Sequence, residues 1–220
     1  GGLFVMGATG ESVRRLTDFG YHPAWSPDGS RIAFSTDNID EPAIRTTRAQ
    51  TWIVEVESGE VRKVVDGDAS QPTWSPDGGR LAYWGLYHGT GQRDLWTVKG
   101  DVSDLVRLTD DPDLDWSPIW SPDGRFLYFA SDRGGSRDLW RLPIELPGAR
   151  ATGPPEPVTV GAANITHPAI SATGDRLALV AQSQRSRIER FVFDPIAERL
   201  IGAGETIVEA NARITMARLS

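Results

Sequence analysis

The sequence predicts an all-β chain folded as a β-propeller of four-stranded antiparallel blades, and three observations predict it. A Pro-x-Trp-Ser-Pro-Asp-Gly segment recurs along the chain, period-two apolar runs follow each copy, and no stretch sustains apolar residues at helical spacing. The first copy is His22-Pro23-Ala24-Trp25-Ser26-Pro27-Asp28-Gly29 and the second is Gln71-Pro72-Thr73-Trp74-Ser75-Pro76-Asp77-Gly78. A third, Ser117-Pro118-Ile119-Trp120-Ser121-Pro122-Asp123-Gly124, precedes a worn fourth, His167-Pro168-Ala169-Ile170-Ser171-Ala172-Thr173-Gly174. The tryptophan column, with Ile170 in fourth place, is spaced by 49, 46 and 50 residues. That period is the length of one four-stranded blade.

Each unit begins with a short strand, A, that runs into Ser-Pro-Asp-Gly. Proline presets φ for the turn and glycine takes its left-handed position. Strand B follows at once, as Arg31 to Phe34, Arg80 to Tyr83, Arg125 to Phe129 and Arg176 to Val180. After a polar loop of variable length comes strand C, at Thr51 to Val54, Asp94 to Val98, Asp138 to Leu142 and Glu189 to Phe193. Short turns lead to strand D, for example Val61 to Val65 or Leu105 to Thr109. Blades packed face to face cover both sides of their inner strands, so the aromatics of Trp25, Trp74, Trp120, Trp52, Trp96 and Trp140 are expected between them.

The expected layout is one propeller domain over 1–220, with blades at about 22–65, 71–109, 117–160 and 167–201. Residues 1–17 read as strands C and D of a further blade, and 212–220 as a strand A. The chain therefore reads as an excerpt of a longer propeller. An open ring would leave strand edges that pair with a second copy, whereas joined ends would make an imperfect fifth blade.

Composition narrows the partners. With a formal charge of −7, the summed field repels phosphate backbones, which disfavours nucleic acid and anionic membrane surfaces. No apolar run is long enough for a membrane-spanning helix, so this segment is not expected to insert. The absence of cysteine rules out disulfides, thiolate metal sites and cysteine nucleophiles. Neither an H-E-x-x-H nor a G-x-S-x-G motif nor a phosphate loop occurs, and no cofactor is expected.

Strand order puts the D-to-A connections and B-to-C loops on one face, the side where recognition is expected. Just before the recurring proline stand His22, Gln71, Ser117 and His167, all polar, at the start of the strand nearest the channel. His88, Tyr87, Arg93, Trp116 and Arg133 are placed on the same face by their loops, and together these nine are the candidate ligand-binding residues. Guanidinium groups beside aromatics suit carboxylate-bearing peptides or sugars. Arg137, preceding Asp138 as Arg93 precedes Asp94, reads as part of the repeat. The run Asp110 to Trp116 alternates carboxylates as a calcium loop does, yet lacks the glycine and terminal glutamate of an EF-hand and reads as an acidic loop. The expected function is non-catalytic binding of a protein, peptide or small polar ligand.

The columns Pro-x-Trp-Ser-Pro-Asp-Gly, x-Ile-Ala-Phe, Asp-Leu-Trp and Arg-Leu-Thr resemble the repeats of TolB-like, WD-repeat-like propellers. More narrowly, Leu3 to Gly20 followed by Pro23-Ala24-Trp25-Ser26 is similar to propeller regions fused behind bacterial serine/threonine kinase or winged-helix regulator domains. The resemblance implies a sensory or scaffolding module and an extracytoplasmic or periplasmic setting. It also implies one enzymatic alternative, a metal-dependent lyase or hydrolase holding a cation on His22, Gln71 and His167 at the channel mouth.

Overall fold

The computed structural model describes residues 1–39, 48–86, 91–161, 164–182 and 186–210. All regular structure among them is β. Contacts divide the chain into two compact units, 1–181 and 182–220.

The first unit opens with a two-stranded sheet, β1 (Phe4–Val5) and β2 (Arg14–Arg15), at the positions expected for strands C and D. Two four-stranded antiparallel sheets follow, each running in chain order from A to D. One contains β3 (Tyr21–Trp25), β4 (Arg31–Ser35), β5 (Thr51–Glu55) and β6 (Val61–Lys63). The next contains β7 (Ser70–Trp74), β8 (Arg80–Leu86), β9 (Arg93–Lys99) and β10 (Val106–Arg107).

A third sheet joins β11 (Asp115–Trp120), β12 (Phe126–Ser131) and β13 (Asp138–Glu145), with its outer edge split between β14 (Arg150–Ala151) and β15 (Glu156–Pro157). The split follows from Pro154 and Pro155, which have no N–H to give a continuous ladder. Last comes the pair β16 (Ile165–Ile170) and β17 (Leu177–Ala181). The second unit is a long hairpin of β18 (Ser186–Asp194) and β19 (Arg199–Ala210). The strand expected at 212–220 lies outside the described residues.

Successive sheets of the first unit pack face to face: β3 and β4 against β7, β7 and β8 against β11, and β11 and β12 against β16. Alternate strand residues meet in the wedges between them. Ala33 and Ile53 join Trp74, Leu81 and Val98 in one cluster, while Ala82, Trp84 and Leu95 join Trp120, Leu127 and Phe129 in the next. Each large apolar side chain fully buried there contributes about 2–3 kcal/mol.

The Ser-Pro-Asp-Gly turns share one hydrogen-bond scheme. Ser26 Oγ donates to Asp28 Oδ1 at 2.6 Å and accepts the Arg31 N–H at 3.0 Å, while the Gly29 N–H reaches the Ser26 carbonyl at 2.9 Å. Ser75 with Asp77, and Ser121 with Asp123, repeat it. In the worn copy Asp175 takes the carboxylate's place and accepts from Ser171 Oγ at 2.9 Å. Gly29 sits at φ 70°, the left-handed region that any Cβ disfavours.

The Asp-Leu-Trp and Arg-Leu-Thr columns form a second recurring device. Thr109 Oγ1 accepts the Leu95 N–H at 3.0 Å, Thr159 does the same for Leu139, and Thr17 for Leu3. Thr159 also donates to Asp138 at 2.9 Å, so strand D is latched to the start of strand C.

Candidate functional site

Proline restricts the residue before it to extended backbone, and a Cβ disfavours positive φ. Nevertheless His22, Gln71, Ser117 and His167, each followed by proline, have φ of 51°, 50°, 51° and 48°. In every case the ladder to strand B shifts register across the same residue, between Tyr21 and Ala24, Ser70 and Thr73, Trp116 and Ile119, and Thr166 and Ala169. The strained residue is thus the bulge of strand A. A backbone of this kind costs on the order of 1–3 kcal/mol per residue and persists where surrounding contacts impose it.

Those four residues and the prolines after them, Pro23, Pro72, Pro118 and Pro168, line one cavity of about 300 Å³. Ala24, Thr73 and Ile119 complete the wall. Four equivalent positions from successive repeats are thereby brought together, as the sequence predicts, and the whole cavity lies within the first unit.

Gln71 is the fixed point of this wall. Its N–H donates to Ser35 Oγ at 2.9 Å, and its side-chain Nε2 donates to the Ile39 carbonyl at 3.3 Å. Gln71 Oε1 accepts from Trp84 Nε1 at 2.7 Å and from Ser117 Oγ at 2.9 Å. Because an indole nitrogen only donates, the contact with Trp84 fixes which way the amide faces. His167 is exposed, whereas His22 is half-buried.

Other candidates lie elsewhere. Trp116 is buried in the core cluster that holds Trp84 and Phe129, so it does not reach the ligand face where the loops had placed it. The bulge at Ser117 consumes one residue of the alternation, and Trp116 pairs with Ala130 of β12 within its own sheet. Arg133 is nearly buried as well. Its Nη2 donates to both carboxylate oxygens of Asp115 at 2.8 Å and pairs with Asp111 at 3.2 Å, and its guanidinium stacks over Phe129 and Trp140. The charge is spent inside the protein and not offered to a ligand. Arg93 opens β9 and does not line the cavity. Tyr87 and His88 lie outside the described residues.

The acidic run is divided among arginines. Asp110 pairs with Arg107 at 2.8 Å, and Arg107 in turn holds the buried Asp94 at 2.7 Å. Burial raises the Asp94 carboxyl above its ordinary range, against the pull of Arg107. Asp115 is pushed up to about 6 by burial, with Arg133, Ser131 and Thr109 opposing the shift. Among the described residues no group of three or more His, Asp or Glu side chains could hold a metal ion. A cation on His22, Gln71 and His167 would have to take the Gln71 oxygen from both Trp84 and Ser117.

Sequence reasoning passed over Ser35 and Trp84, the groups that seat Gln71. The pattern alone gives them away only as strand B positions, because their partner comes from another strand.

A profile of the TolB beta propeller domain matches residues 22–206. The Tol-Pal system protein TolB of Nitratidesulfovibrio vulgaris is 40% identical over 76 residues, covering 31% of this chain and 17% of that protein. Among solved structures, TolB from Acinetobacter baumannii aligns with a TM-score of 0.66 at 22% identity, over 90% of this chain and 47% of its own. Oligogalacturonate lyase from Vibrio parahaemolyticus aligns with a TM-score of 0.59 at 16% identity, over 94% of this chain and 59% of its own. At such identities both structures show the fold alone. The matched spans take up less than half the length of either TolB protein. With the profile spanning most of its length, the chain belongs to the TolB beta propeller domain family.

Proposed function

We propose that this propeller is a non-catalytic recognition module that binds a protein segment, peptide or small polar ligand at the cavity walled by His22, Gln71, Ser117 and His167. One observation carries the reading: four repeats each place a polar residue, in the same strained left-handed backbone, around a single concave space. Strained backbone of this kind clusters at ligand sites, which supports the reading. Imidazole, hydroxyl and amide groups set against proline rings provide a few directed polar contacts on an otherwise apolar wall, the usual make-up of a ligand site. The wall carries no carboxylate, guanidinium or ammonium group, which favours a neutral polar ligand over a highly charged one.

Screening peptides and polar metabolites for ligand-induced thermal stabilisation tests this directly. His22→Ala combined with His167→Ala is expected to abolish the stabilisation while leaving the circular dichroism spectrum unchanged. A double variant that binds as the parent does would move the site off this cavity. The metal-dependent alternative predicts stoichiometric metal in purified protein and a rise in melting temperature with added manganese or zinc. Neither is expected here.

A further inference from the structure

Four Asp-Gly steps occur in the chain, at Asp28-Gly29, Asp66-Gly67, Asp77-Gly78 and Asp123-Gly124. An aspartyl carboxyl followed by glycine is open to attack by the glycine nitrogen, because no side chain shields that nitrogen, and the fold decides which steps can reach the required geometry. In three of them the glycine N–H is already engaged. Gly29 donates to the Ser26 carbonyl at 2.9 Å, Gly78 to Ser75 at 2.8 Å and Gly124 to Ser121 at 2.9 Å. The carboxylates of these turns are tied down as well. Asp28 Oδ1 accepts from Ser26 Oγ at 2.6 Å and from the Ser30 N–H at 3.1 Å, and Asp77 and Asp123 are held in the same way.

Asp66-Gly67 is built differently. It lies in the connection between β6 and β7, both residues are exposed, and the Gly67 N–H has no acceptor among the described residues. Lys63 pairs with the Asp66 carboxylate and lowers its pKa, as the serine hydroxyls do for Asp28 and Asp123, so ionisation does not set the steps apart. We propose that Asp66 is a self-modification site, at which the Gly67 nitrogen attacks Asp66 Cγ and converts this one Asp-Gly step to isoaspartate while the other three persist. The attack forms the C–N bond of a succinimide and breaks the carboxyl C–O bond, releasing the amide proton and the hydroxyl as water. Water then adds to the α-carbonyl and breaks its bond to nitrogen, so the backbone runs through Cβ and Cγ and leaves a free α-carboxylate. The product lengthens the chain just before Asp68, whose carboxylate oxygens accept the Ala49 N–H at 2.9 Å and the Leu86 N–H at 2.7 Å. Modification therefore slackens a clip between the first two four-stranded sheets, three residues before Gln71. The inference is independent of what the cavity binds.

The test ages the intact 220-residue chain at neutral pH and physiological temperature, then maps its peptides by electron-transfer fragmentation, with labelling by an isoaspartyl methyltransferase as a second reading. Isoaspartate is expected in the peptide holding Asp66 at about ten times the level of any turn peptide, since a turn glycine must first give up a hydrogen bond. Gly67→Ala is expected to remove most of it, because the added methyl crowds the attacking nitrogen. The variant should fold as the parent does, for Gly67 is not left-handed and a Cβ there meets nothing within 4 Å. In urea, where the turns are lost, all four steps should react at similar rates. The Ala49 and Leu86 amides are expected to exchange faster in the modified chain, and unchanged exchange there would remove the effect on the clip. Equal accumulation at the turn steps of the folded chain, none at Asp66, or the same preference in urea overturns the proposal.

Discussion

Ser117 Oγ donates to Gln71 Oε1 at 2.9 Å, joining the first strands of two successive sheets at the rim of the cavity. The same oxygen accepts from the buried indole of Trp84 at 2.7 Å. One carboxamide therefore sets the spacing of two repeats, and the strained backbone at both residues is held from the side as well as along the strand.

Replacing Gln71 by alanine strands Trp84 Nε1 and Ser117 Oγ without their acceptor inside the protein. A loss of about 2–3 kcal/mol is expected, read as a lowered urea midpoint at unchanged slope. A variant as stable as the parent would mean the Gln71 contacts are incidental.

Thr51 stands where Leu95 and Leu139 stand in the next two sheets, and its hydroxyl is buried with no hydrogen-bond partner among the described residues. The latch threonine found at 109 and 159 is replaced here by Val65. Thr51→Val keeps the volume and removes the orphan group, so stabilisation of about 1 kcal/mol is expected in the same unfolding experiment. Destabilisation would show that the hydroxyl is satisfied in solution.

Asp115 and the turn aspartates should respond to acid with opposite signs. Since burial raises Asp115 to about 6 from an ordinary 3.8, the folded state takes up its proton first. Its contribution is complete below about pH 4 and is lost as pH rises through 6. Asp28 is held down to about 2 by the Ser26 hydroxyl, so its contribution is present above about pH 4 and disappears as pH falls through 2. Subtracting an Asp115→Asn variant from the parent isolates the first effect: the parent should gain relative stability between pH 7 and pH 5. A pH-independent difference would contradict it.

How far the sequence discloses this protein depends on the kind of information involved. Strands A and B, the Ser-Pro-Asp-Gly turns and the meeting of His22, Gln71, Ser117 and His167 are all legible, because each is local or fixed by the repeat period. Trp116 and Arg133 were misplaced for a shared reason. Loop position says which end of a sheet a residue occupies but not which way it faces, and both side chains turn inward, Trp116 into the core cluster and Arg133 onto Asp115. Arg133 reads as a loop guanidinium beside aromatics, free for a ligand, until Asp115 is seen buried beneath it. The divided outer edge at β14 and β15 was hidden as well, since it turns on which short segment reaches β13.

The central claim is that equivalent residues of four repeats form one recognition site. The most direct test is a two-dimensional amide NMR titration with a ligand taken from the thermal screen. Shifts concentrated at residues 22–24, 71–73, 117–119 and 167–169 are predicted, all moving with a single binding constant. Shifts confined to the opposite turns, around Asp28, Asp77 and Asp123, would contradict the account.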